Sequence, residues 1–170
     1  MKAVLAHDPD DASQLPLLAL AHERLAALAA RRDKAAEARK HWDEALRLRE
    51  ELAKTDLANR AWQAAYALAL ARAGKHAEAA KHADGLRRGV ARSPELLLQL
   101  ARCYAVCAAA DGPEKQGYTD RAVAAVRSAT ADGYKDASLA TDPDLASLRT
   151  NATFQALLTA VQKRAGAGRE

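Results

Sequence analysis

Three alanines stand at the same place in three helical segments, and their spacing limits what this chain can fold into. Ala38, Ala79 and Ala122 each come early in the second of two helical runs, 41 and 43 residues apart. Each is followed four residues later by Trp42, Ala83 or Val126. A recurrent period of this size predicts stacked copies of one supersecondary unit. A single helical hairpin cannot bury its apolar face alone, so its neighbours supply the missing surface.

The runs themselves are legible from apolar spacing and punctuation. A first helix is expected over about 13–31, with Leu18, Leu25 and Leu28 on its inward stripe. A second runs over about 34–54, burying Ala38, Trp42, Ala45 and Leu52, with Leu46 and Leu48 flanking. Asn59 caps a third over about 60–73, with Trp62, Tyr66, Ala69 and Leu70 inward and Gly74 ending it. A fourth runs over about 76–91 with Ala79, Ala83, Leu86 and Val90 inward, although Gly85 and Gly89 weaken it. Ser93-Pro94 starts a fifth, over about 94–110, through a cap residue and a first-turn proline. Its core face is Leu97, Leu100, Ala101 and Tyr104. A sixth covers about 118–131, a short one about 142–149, and a last one, capped by Asn151, about 152–164. The polar Asp8-Pro9-Asp10-Asp11 opens the chain, and a tail over 165–170 is expected to be disordered.

Composition agrees with an all-α chain. Alanine and leucine dominate, isoleucine is absent, and aromatic residues make up 4%, which leaves little of what strands favour. The net charge of +4 comes from interleaved acids and bases. Arg31-Arg32 and Arg87-Arg88 are the only arginine doublets, and no aromatic-plus-basic cluster points to nucleic acid. No apolar run approaches the roughly 20 residues needed to span a bilayer, and the first residues do not read as a secretion signal. Two cysteines do not make a disulfide framework. A cytoplasmic setting is the expectation.

The residues that could carry chemistry read better as structure. Cys103 and Cys107, four apart on one helix, have no ligating neighbour in sequence and are expected in the core. His7, His22, His41, His76 and His82 show no metal-ligand spacing. Asp142 and Asp144 flank a proline at a helix start, where capping is the expected role. No catalytic residue, cofactor or metal is expected, and no enzyme activity.

The helical pairs resemble the tetratricopeptide (TPR) repeat family. The second pair carries the pattern as Tyr66-Ala67, Leu70, Gly74 and Ala79, the first as Leu25-Ala26, Ala29, Asp33, Ala38, Trp42 and Ala45. The third carries Leu100-Ala101 and Tyr104, then Ala122 and Val126 after a longer loop. The period exceeds the family's usual length of about 34. The stretches Gly133-Tyr134-Lys135-Asp136-Ala137, 141–149 and Phe154-Gln155-Ala156-Leu157-Leu158 look like the segment that closes TPR arrays in planctomycete-type bacteria. There such an array often ends a chain that begins with a serine/threonine kinase domain. Leu145, Leu148, Phe154 and Leu158 would cover the end of the third unit. No kinase motif is present in this chain.

The resemblance implies one domain over 1–170, a right-handed helical-hairpin solenoid. Its units cover about 13–55, 59–92 and 93–132, with a capping segment over about 133–164. It implies a protein-interaction scaffold with a concave groove lined by the first helix of each unit, and a protein or peptide as partner. The alternative is self-association through the open end of the first unit. Leu20, Glu23, Ala27 and Arg31 would face the groove from the first unit, Ala64, Leu68 and Arg72 from the second, Glu95, Leu98 and Arg102 from the third. Arg31, Arg72 and Arg102 would form an edge suited to a carboxylate.

Overall fold

The computed structural model describes residues 14–90, 92–110 and 112–167. The opening Asp8-Pro9-Asp10-Asp11 and the end of the tail, 168–170, lie outside these residues. The described residues are helical, with no strand among them. The helices are α1 (Leu15–Arg31), α2 (Ala35–Thr55), α3 (Arg60–Arg72), α4 (His76–Leu86), α5 (Pro94–Ala109), α6 (Lys115–Ala131) and α7 (Ala152–Ala167). Two 3-10 helices, Ala137–Ala140 and Pro143–Leu148, lie between α6 and α7. The chain divides into two compact units, residues 1–56 and 57–170. The division falls where α2 ends and Asn59 starts α3.

Three of the connections share one design. Asp33, Gly74 and Gly133 each take a left-handed backbone, with φ of 57°, 82° and 101°. In each, the next residue's N–H reaches back five residues: Lys34 to the Ala29 carbonyl, Lys75 to Leu70, Tyr134 to Ala129. These are the closing bonds of a Schellman turn, which satisfy the last carbonyls of a helix and reverse the chain. Asp33 and Gly74 lie at the tips of the α1–α2 and α3–α4 pairs, again 41 residues apart.

In the first unit α1 packs along α2. The buried stripe of α1 is Ala19, Ala26 and Ala29, which corrects the expected Leu18, Leu25 and Leu28. α2 contributes Ala38 and Ala45. Side chains that end at Cβ let two helix axes approach closely. Having one helical neighbour in its unit, α1 buries one narrow stripe, and the alanines take it. Leu17, Leu25 and Leu28 are left 70%, 46% and 45% exposed. Trp42 is half-buried rather than a core residue.

In the second unit α5 is the centre. It packs against α3, α4, α6 and the 3-10 helix Pro143–Leu148, and it buries nine residues from Leu97 to Ala108. Small residues sit where its neighbours cross it: Ala64, Ala67, Ala79, Ala83 and Ala122 are fully buried. Trp62 and Tyr66 are half-buried, with the Tyr66 ring edge-on to His82. Asn59 and Asn151 accept from the N–H groups of Trp62 and Phe154, so both caps form as expected. Ser93 takes the cap position of α5 without a side-chain cap bond.

Three helix ends differ from expectation, the first being α6, which starts at Lys115 instead of about residue 118. α4 stops at Leu86 instead of about residue 91, and turns follow it. The glycines at 85 and 89 weaken continuation there. α7 runs on to Ala167, so 165–167 continue a helix rather than begin a tail. Leu145, Leu148, Phe154 and Leu158 are buried. Their segment packs on α5 and α6, with α7 against α6 and the 3-10 helix Ala137–Ala140.

Candidate functional site

The sequence singled out seven partner-binding residues, three in the first unit and four in the second. In the first unit Leu20 is half-buried and Arg31 is exposed in the last turn of α1. Glu23 accepts from Arg49 Nε at 2.8 Å, with both side chains about 15% exposed or less. That ion pair ties α1 to α2. Ala27 is exposed.

In the second unit the apolar residues expected to line the groove are not open. Leu68 and Leu98 are buried, and Glu95 is exposed. Arg72 and Arg102 do not form a free edge. Arg72 grips Asp144 with two nitrogens, Nη2 to Oδ2 at 2.7 Å and Nε to Oδ1 at 3.4 Å. Arg102 Nε donates to Asp142 Oδ2 at 2.7 Å. The Asp142 side chain is 8% exposed, and its other oxygen accepts from the Asp144 N–H at 3.0 Å. One aspartate therefore caps the 3-10 helix, as expected, and also neutralises an arginine of α5. Ser147 Oγ adds a bond to the Ala105 carbonyl at 2.7 Å. The arginines do recognise carboxylates; the carboxylates belong to this chain's own closing segment.

Sequence reasoning missed this because the partners lie 72 and 40 residues apart. Apolar periodicity carries no information at that range. A signal was present all the same. The Asp-Pro-Asp triplet sits inside the segment read as a cap, and a cap over arginine-bearing helices needs acids.

No protein-family model, curated protein or solved structure matches this chain.

The remaining polar residues interlock three helices. Tyr104 of α5 donates its hydroxyl to Asp84 Oδ1 of α4 at 2.7 Å. Arg121 of α6 donates to Asp84 Oδ2 at 2.8 Å and lies over the Tyr104 and Tyr118 rings. Burial and the bond to Asp84 push the Tyr104 phenol up, so it stays protonated and keeps donating. Cys103 and Cys107 are free and buried, as expected. Cys103 Sγ points at the Ala67 carbonyl and Cys107 Sγ at the His76 carbonyl. The neighbouring Cys107 sulfur and burial push the Cys103 thiol up, while the same sulfur–sulfur contact and the Arg121 charge pull the Cys107 thiol down.

Among the described residues no three metal-ligating side chains gather. His22 and His41 do meet, Nδ1 to Nδ1 at 3.0 Å, across the first hairpin. Their separation of 19 residues hid that contact from a search for local ligand spacing. No buried side-chain nitrogen or oxygen among the described residues lacks a hydrogen-bond partner. No described helix is long and apolar enough to cross a membrane.

The most exposed apolar surface among these elements is on α1. Leu17, Ala21, Leu25 and Leu28 follow one another at spacings of four, four and three, which places them on one face of the helix. All four are exposed. Single exposed leucines mean little, but a contiguous row marks a surface suited to a partner.

Proposed function

We propose that this chain is a non-catalytic scaffold of the tetratricopeptide kind that holds another protein, as the C-terminal part of a larger bacterial cytoplasmic protein. The leucine row of α1 is the observation that carries the reading. Anchors at these spacings suit an apolar groove or a second amphipathic helix. The equal turns at Asp33 and Gly74, set 41 residues apart, support a repeat of hairpins. The arginine edge at Arg72 and Arg102 is withdrawn from the partner surface, since Asp144 and Asp142 occupy it.

The second reading is self-association, with the same leucine row as its support. Sedimentation velocity over a wide concentration range separates the two. A monomer at all concentrations leaves the heterologous partner; a dimer that Leu17→Gln, Leu25→Gln and Leu28→Gln together dissolve supports the second copy. For the first reading, the triple variant is compared with the parent chain in affinity capture from the source cells, with far-UV circular dichroism as the control for folding. Proteins held by the parent and lost with the variant support the scaffold. Identical captured sets reject it.

A further inference from the structure

The spacing that brings the helices of the first hairpin together also brings two imidazoles together. On α1, Ala19 and Ala26 flank His22 at three residues before and four after; on α2, Ala38 and Ala45 flank His41 in the same way. All four alanines are buried. Side chains that end at Cβ let α1 and α2 approach closely, and the two histidines meet within that contact. Their Nδ1 atoms are 3.0 Å apart. The ring centroids are 5.2 Å apart, so the two nitrogens lie between the rings and face each other. One Nδ1 donates its proton to the lone pair of the other. Neither ring makes another hydrogen bond within the protein among the described residues.

Neutral imidazole nitrogen is a ligand for late first-row divalent ions. With bonds of about 2.1 Å, two such nitrogens at a right angle lie about 3 Å apart, and at the tetrahedral angle about 3.4 Å. The observed 3.0 Å is the right-angled spacing. Turning each ring by about 45° aims both lone pairs at one point at that bond length. The ring that donates must first move its proton from Nδ1 to Nε2; this changes its tautomer and releases no proton from the pair. Both rings are half-buried, so solvent reaches the pair and supplies the remaining ligands. Glu37 and Glu44 stand one turn before and one turn after His41 on α2. They balance the charges of Lys34 and Arg47 there.

We propose that His22 and His41 bind one divalent transition-metal ion side by side through their Nδ1 atoms, with water in the other positions, and that the ion fastens α1 to α2. The right-angled spacing suits an ion of tetragonal or octahedral geometry such as Cu²⁺ or Ni²⁺. Mg²⁺, which takes oxygen ligands, does not fit a pair of nitrogens.

The test titrates the full chain, freed of metal by a chelator, with Ni²⁺ by calorimetry, and with Mg²⁺ as the control. Imidazole NMR of the parent chain follows which rings a substoichiometric amount of paramagnetic Ni²⁺ broadens. The expected result is one tight Ni²⁺ per chain, with His22 and His41 broadened ahead of His7, His76 and His82. Affinity falls at least tenfold in His22→Gln and in His41→Gln and is kept in His76→Gln. Ni²⁺ raises the melting temperature of the parent and not of the first two variants, because an ion that binds the folded hairpin alone stabilises it. Binding unaltered in His22→Gln or His41→Gln, broadening that begins at another histidine, no saturable Ni²⁺ binding, or a parent melt that Ni²⁺ leaves unmoved overturns the proposal. The NMR reading needs the parent chain alone, so it decides the site even where a variant fails to fold.

Discussion

Asp33 holds a left-handed backbone that glycine holds at the two equivalent turns, Gly74 and Gly133. An L side chain there costs up to about 1–2 kcal/mol, less for aspartate than for most. Asp33→Gly is therefore expected to raise stability by up to about 1 kcal/mol, read as a higher urea midpoint at unchanged slope. His82 makes the second residue-scale prediction. Its Nε2 meets Gln63 Oε1 at 3.0 Å, and burial lowers its pKa below the ordinary 6.5, against a smaller pull upward from Glu78. As pH falls, the unfolded chain takes up the His82 proton before the folded chain does. The stability that His82 contributes is complete above about pH 6.5 and is lost as pH falls through its lower folded value. His82→Gln keeps a donor toward Gln63 and removes the titration. The parent chain is expected to lose stability relative to this variant between pH 6.5 and 5, measured by urea unfolding at each pH. Parallel curves would reject the assignment.

The closing segment is the element whose role the structure changes most. Its Asp142 and Asp144 bind Arg102 and Arg72 at 2.7 Å each, in side chains that are less than a third exposed. Reversing both arginines sets four acids against one another. Arg72→Glu with Arg102→Glu is therefore expected to lower the melting temperature sharply, since a buried carboxylate left unpaired costs about 1–3 kcal/mol before repulsion is added. Exchanging the charges, Arg102→Asp with Asp142→Arg, restores part of the loss, and a double-mutant cycle gives the coupling. An unchanged melt in the reversed variant would show that the pairs do not fasten the segment. Helix spans were legible in the sequence because each has local causes: the Asn59 and Asn151 caps, the Gly74 stop and the Pro94 start. The inward face of α1 was not. Leucine and alanine stripes lie side by side on that helix, and hydrophobicity favours the larger side chain. Close approach of α2 selects the smaller one, and sequence periodicity does not report interaxial distance. The arginine edge was misread for a related reason. Spacing put Arg72 and Arg102 on one side of their helices but carried nothing about what lies across from them.

At the scale of the whole molecule, the two units are built differently. The second has a filled interior: α5 is buried by three helices and a 3-10 helix, Phe154 is fully buried, and paired acids and arginines close one side. The first is thinner, two helices held by alanines, the Glu23–Arg49 pair and the His22–His41 contact, with leucines on its open face. Its apolar surface is the most costly to leave in water, at roughly 25 cal/mol per Å². A partner on that face is the central claim. The direct measurement is photocrosslinking in the source cells, with a benzoylphenylalanine at position 25 and, as the control, at the exposed α2 position 47. The account predicts a discrete crosslinked band at position 25, to another protein or to a second copy, and none at 47. Equal labelling at the two positions, or none at either, would contradict it.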